Sequence, residues 1–129
     1  MMLVVLDTNV LVSAMLSPHG NPKKILAMVA SGYLRVCYDS RIFAEYREVL
    51  FRRKFPFIKA DVTSVLEIIS EYGISVAVPP LSIFFTNESD RKFYEVAAFC
   101  GAKLITGNIK HFPQEPNVMT PTEFIAKII

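Results

Sequence analysis

Leu3-Val4-Val5-Leu6-Asp7-Thr8-Asn9 decides the reading of this chain. Four aliphatic residues run without a polar break and end on an acid. A short apolar run bounded by polar residues suits a strand buried on both faces, as in a parallel sheet. Asp7 then stands at the carboxyl end of that strand, where open α/β sheets bind their ligands. Two roles are open to it at this stage, chemistry or capping of the following helix.

Working outward, strand and helix signals alternate. Val10, Leu11, Ala14 and Met15 recur at helical spacing behind a cap at Thr8 or Asn9. Ser17 to Gly20 is a loop, and its His19 reads as a surface residue. Pro22 opens a second helix and Gly32 closes it. Leu34 to Tyr38 reads as the second strand. Ser40 is placed as the cap of a helix running to about Arg53, with Ile42, Phe43, Tyr46, Val49 and Leu50 inward. Glu45 falls beside that stripe, open to a solvated or a site role. Arg47, Arg52, Arg53 and Lys54 suit either the helix dipole or a phosphate.

Asp61 is placed as the cap of a helix ending near Gly73, and Ile74 to Val78 as the third strand, stopped by Pro79-Pro80. Leu81 to Thr86 reads as loop or extended chain. A helix from Arg91 to Cys100 follows, capped by Ser89 or Asp90, and Gly101 ends it. Lys103 to Thr106 is the fourth strand, with a turn at Gly107-Asn108. Asn117 to Met119 is a short last strand. Thr120-Pro121-Thr122-Glu123 is a capping box that opens a terminal helix ending near Ile129. This alternation indicates an α/β domain with a mostly parallel sheet.

Composition narrows the class. A length of 129 residues fits a single domain over 1–129, and 52% apolar against 20% charged residues argues against disorder. A net charge of +2 does not by itself imply nucleic acid. Cys37 and Cys100 fit neither a metal spacing nor a disulfide framework, so the chain is expected to be cytoplasmic. The apolar start lacks a basic flank and is broken by Asp7, unlike a signal peptide. No apolar run is long enough to span a bilayer.

Asp7 and Asn108 both follow apolar strands and so reach one sheet edge. Asp90 opens a helix and Glu45 flanks a buried face. Acids without a fixed lysine or histidine partner suggest a hard cation, magnesium or manganese. Two carboxylates about 5 Å apart repel by roughly 3 kcal/mol at an effective dielectric of 20, so a cluster ionises fully only beside a cation. The usual work of such a site is phosphodiester hydrolysis.

The sequence resembles the PIN domain, a metal-dependent nuclease fold, and within it the toxin components of toxin–antitoxin pairs (VapC-like ribonucleases). The resemblance rests on Val5-Leu6-Asp7-Thr8-Asn9-Val10, Glu45 to Leu50, Asp90-Arg91-Lys92-Phe93 and Thr106 to Phe112. It implies a three-layer α/β/α sandwich, RNA cleavage with Mg2+ or Mn2+, a homodimer and an antitoxin partner. Asp7, Glu45 and Asp90 match the family's metal-binding acids. The fourth catalytic position is often aspartate but here is Asn108, which leaves three carboxylates. Glu88 is a substitute acid to consider. Asn9 and Thr106 match polar positions that support the site.

Three other readings compete with this one. A haloacid-dehalogenase-like phosphatase wants a second acid two residues after the first, and that position is Asn9. A catalytically weak module that holds RNA or an antitoxin is favoured by Asn108 and disfavoured by the other three acids. A receiver domain would need an acidic pair that the first strand lacks.

Overall fold

The computed structural model describes residues 2–128. In chain order the elements are β1 (Met2–Leu6), α1 (Thr8–Leu16), α2 (Asn21–Ala30), β2 (Leu34–Tyr38), α3 (Ser40–Leu50), α4 (Lys59–Tyr72), β3 (Ile74–Ser75), α5 (Glu88–Cys100), β4 (Lys103–Ile105), β5 (Val118–Met119) and α6 (Pro121–Ile128). A single 3-10 turn, Ile109–His111, lies between β4 and β5.

The strands form one parallel sheet in the order β3-β2-β1-β4-β5. β1 is central. Val4, Val5 and Leu6 are all buried, as a strand covered on both faces requires. α5 packs across β1, β2 and β4, while α2 packs on β2 and against α1, α4 and α6. The result is the three-layer α/β/α sandwich expected from the alternation of elements. The core runs through Leu11, Ile25, Leu34, Ile42, Ile69, Phe93, Leu104 and Phe124.

Strand order also locates the site. The chain builds outward from β1 to β2 and β3, then returns to place β4 on the opposite side of β1. The carboxyl ends of β1 and β4 therefore flank the crevice where the winding direction switches. Asp7 follows β1 and Thr106 follows β4 directly.

Local chemistry sets most boundaries. In α6, the Thr120 N–H donates to Glu123 Oε1 at 2.9 Å and the Glu123 N–H to Thr120 Oγ1 at 3.1 Å, the reciprocal pair that the motif predicts. Gly101 ends α5 with φ +63°, which a Cβ would strain, and the next N–H, of Ala102, closes on Ala97 O at 2.9 Å.

Other boundaries differ from expectation. Asp39 caps α3, its side chain accepting from the Ile42 N–H at 3.0 Å, so Ser40 is the first helical residue. α3 stops at Leu50, not near Arg53. Ile58 occupies the cap position of α4, which puts Asp61 inside the first turn. β3 is two residues long, because Ile74 and Ser75 pair with the last two residues of β2 and the Val76 N–H bond to Tyr38 O closes the ladder. Asn87 caps α5 and accepts from the Ser89 N–H at 3.1 Å. Residues 79–85 carry no regular structure. The predicted end of α6 at Ile129 lies outside the described residues. Among the described residues, no helix is long and apolar enough to cross a membrane.

Candidate active site

Asp7 occupies the first residue beyond β1, with its N–H bonded to Ile105 O on β4 at 2.9 Å. It stands at the cap position of α1 but makes no side-chain cap bond. Its carboxylate is held from elsewhere. Thr106 Oγ1 donates to Oδ2 at 2.8 Å, and Asn9 Nδ2 approaches the same oxygen at 3.3 Å. Asn9 Oδ1 accepts the Gly107 N–H at 3.0 Å, and Thr106 Oγ1 accepts the Asn108 N–H at 2.9 Å. The supporting roles expected of Asn9 and Thr106 thus take a specific form, an amide and a hydroxyl that tie the β4 turn to Asp7.

Burial pushes the Asp7 carboxyl above its ordinary range, and the neighbouring charges of Asp90 and Glu45 push further. The Thr106 hydroxyl and the Asn9 backbone N–H offset part of this. These mutual effects show that three acids from three different elements share one neighbourhood.

Asp90 sits in the first turn of α5 and is buried. Asn87 does the capping, so Asp90 is freed from the structural duty that its position suggested. Its Oδ2 is buried and receives no hydrogen bond. His111 Nδ1 lies 3.3 Å away, an ion pair when the imidazole is protonated. Burial raises the Asp90 pKa, Glu45 adds to the rise, and His111 and Lys92 oppose it.

Glu45 projects from α3 with its side chain 27% exposed. The Thr8 hydroxyl donates to Oε2, and Lys92 Nζ lies 2.8 Å from Oε1. One residue on, Tyr46 is fully buried and its hydroxyl bonds Leu6 O at 2.5 Å, anchoring α3 to the end of β1. Burial drives the Tyr46 pKa well above 10, so it stays a donor.

Lys92 and His111 correct the expectation of acids without fixed basic partners. Both contacts join distant elements. Lys92 had no local signal beyond lying within the Asp90 to Phe93 motif, because its partner Glu45 stands on another helix. His111 had none beyond lying within the Thr106 to Phe112 motif.

Asn108 is exposed and joins the site through its backbone. Among the described residues its side chain makes no hydrogen bond. Glu88 is a poor substitute acid. It is 71% exposed and bonded twice to Arg91, which holds its pKa low. A cleft of about 510 Å³ lined by Tyr38, Phe43 and Arg47 lies on another flank of α3, and none of the three acids lines it.

The donor chemistry suits a hard divalent cation. Asp7 and Asp90 are buried carboxylates in mutual repulsion, and Asp90 Oδ2 has no well-formed hydrogen bond, only the His111 imidazole at 3.3 Å. Both fixed donors to Asp7 use Oδ2, which leaves Oδ1 for a cation. The site is open rather than caged. Among the described residues, no three His, Cys, Asp or Glu side chains are grouped closely enough to hold a metal ion alone. Magnesium is commonly held this way, by one or two carboxylates, waters and substrate phosphate oxygens.

Comparison with known proteins gives the family. An uncharacterized protein of Methanocaldococcus jannaschii is 32% identical over 111 residues, covering 81% of this chain and 70% of its own length. No solved structure matches. Residues 3–110 match the PIN domain, so the acidic site spans the matched region. This chain belongs to the PIN domain family, whose members are nuclease-type modules that generally use divalent metals.

Proposed function

We propose that this chain is a metal-dependent endoribonuclease acting through Asp7, Glu45 and Asp90, and that it is the toxin of a toxin–antitoxin pair. The observation that carries the reading is Asp90 Oδ2, buried beside a second buried carboxylate with no well-formed hydrogen bond and only the His111 imidazole near it, at 3.3 Å. A buried unsatisfied acceptor costs about 1–3 kcal/mol or more when charged, and a divalent cation offsets that cost. Asp7 and Asp90 would hold the metal directly. When bound, the metal activates water and steadies charge on the phosphate. Thr106 and Asn9 fix Asp7, so that its free oxygen keeps one direction. Thr8 and Lys92 fix Glu45.

The test is digestion of a total RNA pool with manganese against a chelated control, followed by sequencing of the new ends. Metal-dependent cuts at defined positions support the proposal, and intact RNA in both arms sinks it. Asn108 favours a second reading, a module that binds RNA without efficient cleavage. Retention of labelled RNA with no manganese-dependent cutting would select it.

A homodimer and an antitoxin tail that shields the site belong to the same proposal. A candidate contact is Phe84, which is 86% exposed. Phe85, grouped with it in sequence, is instead buried against Tyr94 and Phe112. Large exposed apolar side chains suit an interface, and Leu81 in the same segment is exposed as well. A protein that remains monomeric by ultracentrifugation at high concentration would remove the dimer from the proposal.

A further inference from the structure

Both oxygens of Glu45 are taken. The Thr8 hydroxyl holds Oε2, and the Lys92 ammonium holds Oε1 at 2.8 Å with its side chain only 12% exposed. Lys92 has two further supports, a bond to Ser89 O and the face of Phe93 at 4.9 Å. Its charge is therefore held inside the acidic neighbourhood, where a divalent cation would supply the same sign. A helix-to-helix tether is not a sufficient account of it. Arg41 already bridges the same two helices through Glu95, at 2.8 Å.

We propose that Lys92 is a resident counter-cation of the acidic centre. In the free protein it occupies Glu45 and competes with a divalent ion for that carboxylate. When RNA arrives it transfers its ammonium to a phosphate oxygen. Lysine suits an exchange of partners, being a point charge on a flexible stem with rotatable donors. It also binds phosphate readily as such a charge. The inference rests on the ribonuclease reading above and assigns Lys92 a positioning role in the free state and a substrate contact in the complex.

The two parts predict opposite signs for one substitution. Lys92→Met should release Glu45 and tighten manganese binding about tenfold by calorimetry, the scale of one charge-assisted hydrogen bond. The same variant should bind a labelled single-stranded RNA about tenfold more weakly by fluorescence anisotropy in chelator, where nothing is cut. Lys92→Arg keeps the charge and should return both values to near the parent's. A merely structural lysine would weaken both or neither. Unchanged or weaker manganese binding, or unchanged RNA binding, in folded Lys92→Met overturns the proposal while leaving the ribonuclease reading intact. A parent protein that binds no manganese overturns both. If Lys92→Met melts below the assay temperature, Lys92→Gln is measured by the same two readouts and the same criteria.

Discussion

Thr106 Oγ1 donates to Asp7 Oδ2 at 2.8 Å across 99 residues of chain. The same hydroxyl accepts the Asn108 N–H, so one threonine fixes both the first acid and the turn that follows β4. Thr106→Val keeps the side-chain shape and removes the bond. At pH 7, where the bond serves a carboxylate, the loss should be about 1.5–3 kcal/mol by urea denaturation. It should shrink in acid, where Asp7 is protonated and the bond matters less.

Asp7 itself lowers the stability of the free protein. Its folded pKa lies above the ordinary 3.8, so the folded state binds more protons than the unfolded state in the window above that value. Stability then falls as pH rises through that window, and the penalty is complete above the folded pKa. Asp7→Asn removes the titrating charge and leaves Oδ1 to accept from Thr106. In chelator, the variant should melt higher than the parent at pH 7, and the difference should fade toward pH 4. A variant that melts lower at pH 7 would show that burial of the charge is compensated.

Asp90 and Asn87 separate chemistry from capping. Asp90→Asn should abolish manganese-dependent RNA cleavage and leave the fold intact. Asn87→Ala should cost about 1 kcal/mol of stability, the usual value of an N-cap, and leave most of the activity. Thermal melts beside a cleavage assay test both. Full activity in folded Asp90→Asn would return Asp90 to a purely structural role.

Glu95 tests how the segment before α5 is held. Its side chain is fully buried, pairs with Arg41 at 2.8 Å and accepts the Leu81 N–H at 2.8 Å. Arg91 holds the carbonyl of the same Leu81 at 2.7 Å. Glu95→Ala should cost about 1.5–3 kcal/mol, the scale of hydrogen bonds to a charged group, because Arg41 is half exposed and keeps Asp39. It should also free the backbone around the already exposed Phe84 and so speed chymotrypsin cleavage there. Unchanged protection would mean that Phe85 and its aromatic neighbours hold the segment alone.

Asn108→Asp supplies the carboxylate that the wider family often has. It should tighten manganese binding in calorimetric titration and reveal a second site. The rate can move either way, since firmer ground-state binding need not favour the transition state. No change in affinity would place residue 108 outside the metal centre.

What the sequence made legible was local. The aliphatic run before Asp7, the matching strand at Leu34–Tyr38 and the box at Thr120–Glu123 each carry their cause within a few residues. Caps were harder. Asp39-Ser40 offers two good capping side chains in succession, and Asn87 to Asp90 offers three, so one residue of shift decides which is free for other work. That shift matters most at Asp90. β3 was read too long because its apolar alternation continues past Tyr38, where its partner strand β2 ends. The contacts Lys92 to Glu45 and His111 to Asp90 depend on how α3, α5 and the turn after β4 dock together, and no spacing along the chain encodes that.

The central position of β1 has a consequence for synthesis. Asp7 is made early, Glu45 and Asp90 follow, and Thr106 comes with the strand that closes the other side of the sheet. A chain still lacking residues 103–106 has no β4 to pair with β1 and no hydroxyl to hold Asp7. A nascent chain thus carries all three acids while the acidic centre remains unassembled until β4 has emerged.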